Sequence, residues 1–269
     1  MVCFPNCKLN IGLYITSKRA DGYHNLETVF YPVTGLTDVL EVVPVDTADI
    51  ALHGKIVAGD KHDNLIWKAY QLLKQDFPAI PELSIHLLKN IPMGAGMGGG
   101  SADGAFMIKL LNDYCGLGLS KEVMVSYALQ LGSDCPFFIE NTPQYATGRG
   151  EVMQPVSIDL SAYSIQLICP QVHVSTAAAF KMITPKPALF NLQMLPELPI
   201  ELWKGVVSND FEAPVFAQYP ELATIKEQLY AQGAIYAAMS GSGSTVYGIF
   251  PKGQRASVST GLSFEEYLI

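Results

Sequence analysis

Five glycines fall between Gly94 and Gly100 in the run Pro92, Met93, Gly94, Ala95, Gly96, Met97, Gly98, Gly99, Gly100, Ser101, Ala102 and Asp103. Such a backbone is free to adopt positive φ and to approach a ligand closely. A helix starting behind it adds unpaired N–H groups and the positive end of its dipole, so the combination suits an anion, most naturally phosphate. A flexible turn is the simpler reading of the same glycines. A Walker loop requires Gly-Lys-Ser/Thr, and Gly99-Gly100-Ser101 lacks the lysine. Gly94 to Gly99 does satisfy G-x-G-x-x-G. However, Lys89 to Met93 intervene after the predicted strand, and the acidic ribose partner expected about twenty residues on is missing, which disfavours a nicotinamide oxidoreductase.

A second glycine loop, Ser240-Gly-Ser-Gly-Ser-Thr245, lies between two predicted strands and also reads as a tight hairpin. Lys8 stands near the mouth of a predicted strand, and Asp134 lies in the turn Gly132-Ser-Asp-Cys-Pro136. Taken singly, one reads as a solvated strand-edge lysine and the other as an ordinary turn residue. Tyr23 and His24 follow the turn pair Asp21-Gly22. An aromatic face beside an imidazole suits stacking on, and hydrogen bonding to, a pyrimidine, although a surface tyrosine and a structural histidine fit equally.

The elements that must position these residues follow from periodicity. Leu9–Ile15, Val29–Val33, Val39–Val43 and Leu83–Leu87 alternate as strands. Residues 64–74 have the apolar spacing of an amphipathic helix, and residues 105–111 read as a buried helix with Ser101 as its N-cap. Tyr163–Cys169, Ile235–Met239 and Val246–Phe250 read as strands of a C-terminal layer, with residues 221–229 helical. The expected division places an N-terminal domain over 1–155 and a C-terminal domain over 156–269. The proline-rich stretch from Thr184 to Pro199 reads as an ordered surface loop, because Leu and Phe interrupt it.

Bulk composition narrows the function classes. A chain of 269 residues, 49% hydrophobic and 16% charged, can bury a sizeable core. Its formal net charge of -8 argues against a nucleic-acid partner. Cys3, Cys7, Cys115, Cys135 and Cys169 are odd in number and scattered, which disfavours a disulfide framework or structural zinc site. No apolar run has membrane-spanning length and no leader pattern opens the chain, so the expected address is the cytoplasm, without a membrane partner. Monomer and homodimer both remain open.

Taken together, the N-terminal lysine-bearing strand, Pro92-x-x-x-Gly-x-Gly-Gly-Gly-Ser and Ser240-Gly-Ser-Gly-Ser resemble the GHMP kinases. The strings Cys7-Lys-Leu-Asn-Ile-Gly-Leu-Tyr-Ile15 and Arg19-Ala-Asp-Gly-Tyr-His24 are similar to the branch whose acceptor is a cytidine-diphosphate-linked methylerythritol. Asp63-Asn64, Gly132 to Pro136 and Asn209-Asp-Phe-Glu212 extend the resemblance over nearly the whole chain. It implies an α/β (α+β) two-domain fold, with an N-terminal half like ribosomal protein S5 domain 2, a ferredoxin-like C-terminal half and an active site in the interdomain cleft. It implies ATP-dependent phosphorylation of the acceptor's 2-hydroxyl on the methylerythritol phosphate route to isoprenoid precursors. Lys8 and Asp134 would be the catalytic pair. Asn64, Lys89 and the run 92–103 would line the nucleotide, with Ser101 and Asp103 near phosphate or Mg²⁺. Asn10, Tyr23, His24, Thr176 and Phe180 would surround the acceptor. Magnesium is expected with ATP, but no carboxylate cluster names its ligands. Ala102 and Gly104 depart from the serine and alanine frequent at those positions, and Gly104 loosens the helix start. The alternatives are a GHMP kinase for homoserine or a mevalonate derivative, disfavoured by the Arg19–His24 string, and a catalytically silent sensor, disfavoured by the presence of both Lys8 and Asp134.

Overall fold

In chain order, the computed structural model contains β1 (Val2–Cys3), β2 (Asn6–Lys18), β3 (His24–Thr37), β4 (Val39–Pro44), β5 (Asp49–Gly54), α1 (Leu65–Asp76), β6 (Leu83–Lys89), α2 (Gly99–Cys115), α3 (Lys121–Leu131) and α4 (Cys135–Glu140). There follow β7 (Gln144–Thr147), β8 (Val152–Pro155), β9 (Tyr163–Pro170), α5 (Thr176–Lys181), α6 (Trp203–Val206), α7 (Glu212–Gln218), α8 (Pro220–Ala231), β10 (Tyr236–Met239), β11 (Val246–Pro251) and β12 (Phe264–Leu268). The structure describes residues 1–57 and 59–269. By internal packing one unit comprises Met1–Lys8, Pro32–Met93 and Gly98–Thr142, and the other comprises Leu9–Tyr31, Gly94–Met97 and Pro143–Ile269.

The first unit carries a mixed sheet of order β1-β4-β6-β5, in which β5 runs parallel to β6 and the other pairs are antiparallel. Alternation sorts its faces: Leu83, Ile85 and Leu87 on β6 and Leu40 and Val42 on β4 are buried, whereas Glu41, Val43 and Leu88 are exposed. Helices α1 to α4 pack on one another, and α1 contributes Ile66, Ala69, Tyr70 and Leu73 at the helical spacing that its sequence predicts. Asn64 starts α1 by accepting the Ile66 N–H at 3.0 Å.

The second unit contains an antiparallel sheet of order β10-β11-β9-β12, with α8 against β10 and β11 and α7 against α8. Leu222, Ile225 and Leu229 of α8 join Ile168, Met239, Val246 and Phe250 in its core. A further sheet has the order β2-β3-β7-β8. The predicted strands and helices recur, most with longer ends, while strands β1, β5, β7, β8 and β12 and helices α3 to α7 are additional. The helix after the glycine run begins earlier than its apolar residues indicate. Ser101 is therefore not the N-cap: Gly98, with φ of +70°, occupies that position, and Ser101 lies within the first turn.

Candidate active site

Gly96 and Gly98 explain why the run is rich in glycine. Both have left-handed φ, +78° and +70°. A Cβ on Gly96 would collide with the Ser240 carbonyl, and a Cβ on Gly98 would stand 3.2 Å from Lys8 Cγ and Cε. The loop thus lies against other backbone and against the Lys8 stem because it has no side chains there. No side chain caps the start of α2, so its first N–H groups remain available to an anion.

The second glycine loop does more than turn the chain between β10 and β11. Ser240 Oγ donates to Gly96 O at 2.9 Å, and Thr245 N donates to Ala95 O at 3.2 Å. Asn209 Nδ2 donates to Met239 O and Gly241 O at 2.7 and 2.8 Å, while Glu212 accepts the Met239 N–H at 2.8 Å. The string Asn209 to Glu212 therefore anchors the loop that supports residues 95–96.

In the first unit Lys8 reaches Asp134 across 3.6 Å. Lys8 is buried on β2; Asp134 immediately precedes α4 and is partly open to solvent. Burial pushes the lysine below its ordinary pKa, and the Asp134 charge opposes that shift. Gly98 and Lys8 being in contact, the pair sits beside Gly98 of the glycine run.

Lys89 and Asp103 are also together, 2.8 Å apart and fully buried. Lys89 is ion-paired with buried Asp38 as well, and Asp38 Oδ1 accepts the N–H groups of Asn90 and Ile91 at 2.6 and 2.9 Å. Burial disfavours the Lys89 charge, but Asp103 and Asp38 outweigh it and hold the ammonium above its ordinary pKa. Burial pushes Asp103 up to about 8, against the pull of Lys89. Its Oδ1 is buried without a hydrogen-bond partner, as fits two carboxylates sharing one ammonium in a dry site. Asp38 escaped sequence reading, since nothing local indicates that an acid 51 residues before Lys89 folds onto it.

The residues expected around an acceptor occupy the second unit. His24 stacks on Phe180 with ring centroids 5.1 Å apart at 20°, and Phe180 meets Phe211 edge-on at 4.9 Å. Thr176, the first residue of α5, has its Oγ1 3.0 Å from Ser242 Oγ. Buried Asn10 donates its side-chain amide to Thr28 Oγ1 at 3.0 Å, and its backbone N–H to Ser240 Oγ at 3.2 Å. Tyr23 is exposed, with the Arg149 guanidinium 5.0 Å from its ring centroid.

Among the described residues no group of three His, Cys, Asp or Glu side chains is arranged to hold a metal. Asp103 is turned toward buried Lys89.

The GHMP kinases N terminal domain model matches residues 64–141, and the GHMP kinases C terminal model matches residues 199–266. A 4-diphosphocytidyl-2-C-methyl-D-erythritol kinase of Parabacteroides distasonis is 49% identical over 94% of this chain and 92% of its own length. One of Bacteroides thetaiotaomicron is 50% identical over 94% and 93%. The chain belongs to the GHMP kinase family. A crystal structure of 4-(cytidine 5'-diphospho)-2C-methyl-D-erythritol kinase matches this GHMP kinase with a TM-score of 0.75 and 30% identity over 93% of this chain and 90% of that one. Streptococcus pneumoniae phosphomevalonate kinase matches with a TM-score of 0.68 at 13% identity over 94% and 92%, a likeness of fold alone. The N-terminal family match spans Asn64, the glycine run and Asp134; Lys8 lies before it.

Proposed function

We propose that this GHMP kinase transfers the γ-phosphoryl group of ATP to the 2-hydroxyl of 4-diphosphocytidyl-2-C-methyl-D-erythritol, giving the 2-phosphate and ADP. The observation that carries the chemistry is the Lys8–Asp134 pair beside Gly98. The relatives at about half identity over nearly the full length carry the choice of acceptor.

Phosphoryl transfer asks mainly for positioning and for stabilisation of charge. Asp134, the solvent-accessible member of the pair, orients the acceptor hydroxyl and takes its proton as the new O–P bond forms and the bond from the γ-phosphorus to the β-phosphate oxygen breaks. Lys8 lowers the cost of developing negative charge. The N–H groups at the start of α2 and the glycine run hold the phosphates. Magnesium brought in with ATP would neutralise phosphate charge, and Ser101, in the first turn of α2, would be its contact from this chain. Lys89 and Asp103 act by bracing the run at both flanks, and Asn64 lies toward the nucleotide side. Tyr23, His24, Asn10, Thr176 and Phe180 surround the cytidine and methylerythritol groups, with the aromatic rings stacking on the base. The cytoplasm, a reducing compartment, suits five cysteines that form no disulfide among the described residues.

ADP release measured with the CDP-linked methylerythritol, homoserine and mevalonate in parallel tests the proposal. The expected result is turnover with the first at a kcat/KM far above the other two. Release with none of them, or preferential release with homoserine or mevalonate, overturns it.

A further inference from the structure

The segment joining β7 to β8 reads Gly148-Arg149-Gly150-Glu151 and aims one cation at one aromatic ring. Gly148 and Gly150 have φ of +70° and +111°, conformations that favour glycine. A Cβ on Gly148 would stand 2.8 Å from Glu151 Oε2. The Glu151 carboxylate uses that space: it accepts the Arg149 backbone N–H at 2.5 Å and lies 3.6 Å from Arg149 Nε. Gly150 N donates to Thr147 O at 3.0 Å, and Leu26 N donates to Gly148 O at 2.8 Å, tying the turn to the beginning of β3. Arg149 Cζ thereby lies 5.0 Å from the Tyr23 ring centroid.

Tyr23 is held by its backbone as well. Its N–H donates to Asp21 Oδ1 at 3.1 Å and its carbonyl accepts the Arg19 N–H at 2.8 Å, while Arg19 Nε donates to Asp21 Oδ2 at 3.0 Å. The residue as a whole remains 57% exposed. A tyrosine on a turn has two soft side-chain torsions, and freezing them on binding costs affinity. A planar guanidinium stacked on one face removes part of that freedom beforehand.

We propose that Arg149 is a positioning residue for the acceptor: it covers one face of Tyr23 and sets the plane of the ring, so that the exposed face receives the planar base of a nucleotide-linked acceptor. This rests on the reading of Tyr23 in the proposed function. Glu151 keeps the guanidinium over the ring, and the two glycines let the turn close around that carboxylate.

The test is a double-mutant cycle of Arg149→Ala and Tyr23→Ala, with Arg149→Lys as the conservative variant. KM is measured for the CDP-linked acceptor and for ATP, with calorimetric titration of CDP alone. Arg149→Ala is expected to raise acceptor KM by about two- to five-fold, the factor of an exposed cation–π contact, and to raise it more than ATP KM. Arg149→Lys recovers part of the loss, and the Arg149 effect vanishes in the Tyr23→Ala background. Equal rises in both KM values, or an undiminished Arg149 effect without Tyr23, overturn the inference, as does an Arg149→Ala enzyme with wild-type acceptor KM. Wild-type protein that neither phosphorylates the CDP-linked acceptor nor binds CDP overturns the proposed function and the inference with it.

Discussion

Lys8 Nζ stands 3.6 Å from Asp134 Oδ2, with the lysine side chain 5% exposed and the aspartate 35%. The asymmetry divides the labour: the cation is fixed in the core, and the carboxylate keeps a path to a hydroxyl from outside. Burial alone disfavours the lysine charge, and the attraction of Asp134 opposes that cost.

Asp134→Asn keeps the shape of the side chain and removes its ability to take a proton. It is expected to lower kcat by about 10²–10⁴-fold, the contribution of a positioned acid or base, with a thermal midpoint close to that of the wild type. Lys8→Met, which retains the buried stem, is expected to lower kcat as well. ADP release and a thermal melt on the same preparations check both, and near-normal turnover in both variants would sink the assignment of the pair.

Asp103 makes the stability of the fold pH-dependent in a stated direction. Its pKa rises from an ordinary 3.8 to about 8 in the folded chain, so between those values the native state holds a proton that the unfolded state lacks. Its contribution is fully present below about 4 and is lost as pH rises through about 8. Lys89, raised above 10.5, follows the same sign, with its loss lying above that value. Asp103→Asn removes the first titration, so Tm of the variant is expected to fall less than that of the wild type between pH 4 and 8. Melts across this range check it, and parallel wild-type and variant curves refute it.

Gly96→Ala places a methyl into the Ser240 carbonyl on a backbone with φ of +78°. The left-handed conformation alone costs about 1–2 kcal/mol for a residue with a side chain, and the rigid carbonyl has to move in addition. The variant is expected to lose stability by at least that amount and to raise ATP KM more than acceptor KM. Denaturant unfolding and steady-state kinetics read the two effects separately, and an unchanged ATP KM would detach residues 95–96 from nucleotide binding.

Local spacing determined much of this protein from the sequence alone. The alternation that predicts β6 buries Leu83, Ile85 and Leu87; the helical spacing after Asn64 buries Ile66, Ala69, Tyr70 and Leu73; and the glycine run does precede a helix. These readings succeed because a strand or helix sorts its side chains within a few residues of chain. The serine-glycine loop and the segment with Lys8, Tyr23 and His24 were legible as motifs, and so was the kinase family to which they belong.

The tertiary structure decided what those motifs touch. Only the fold turns Ser240 onto Gly96, brings Asp38 onto Lys89 and sets Arg149 over Tyr23. It also moved the helix N-cap from Ser101 to Gly98, whose φ of +70° favours glycine. The physical reason is range. Periodicity is written into neighbouring residues, whereas a buried ion pair or a stacked cation joins positions whose separation along the chain carries no local pattern, and the packed core alone determines which of them meet.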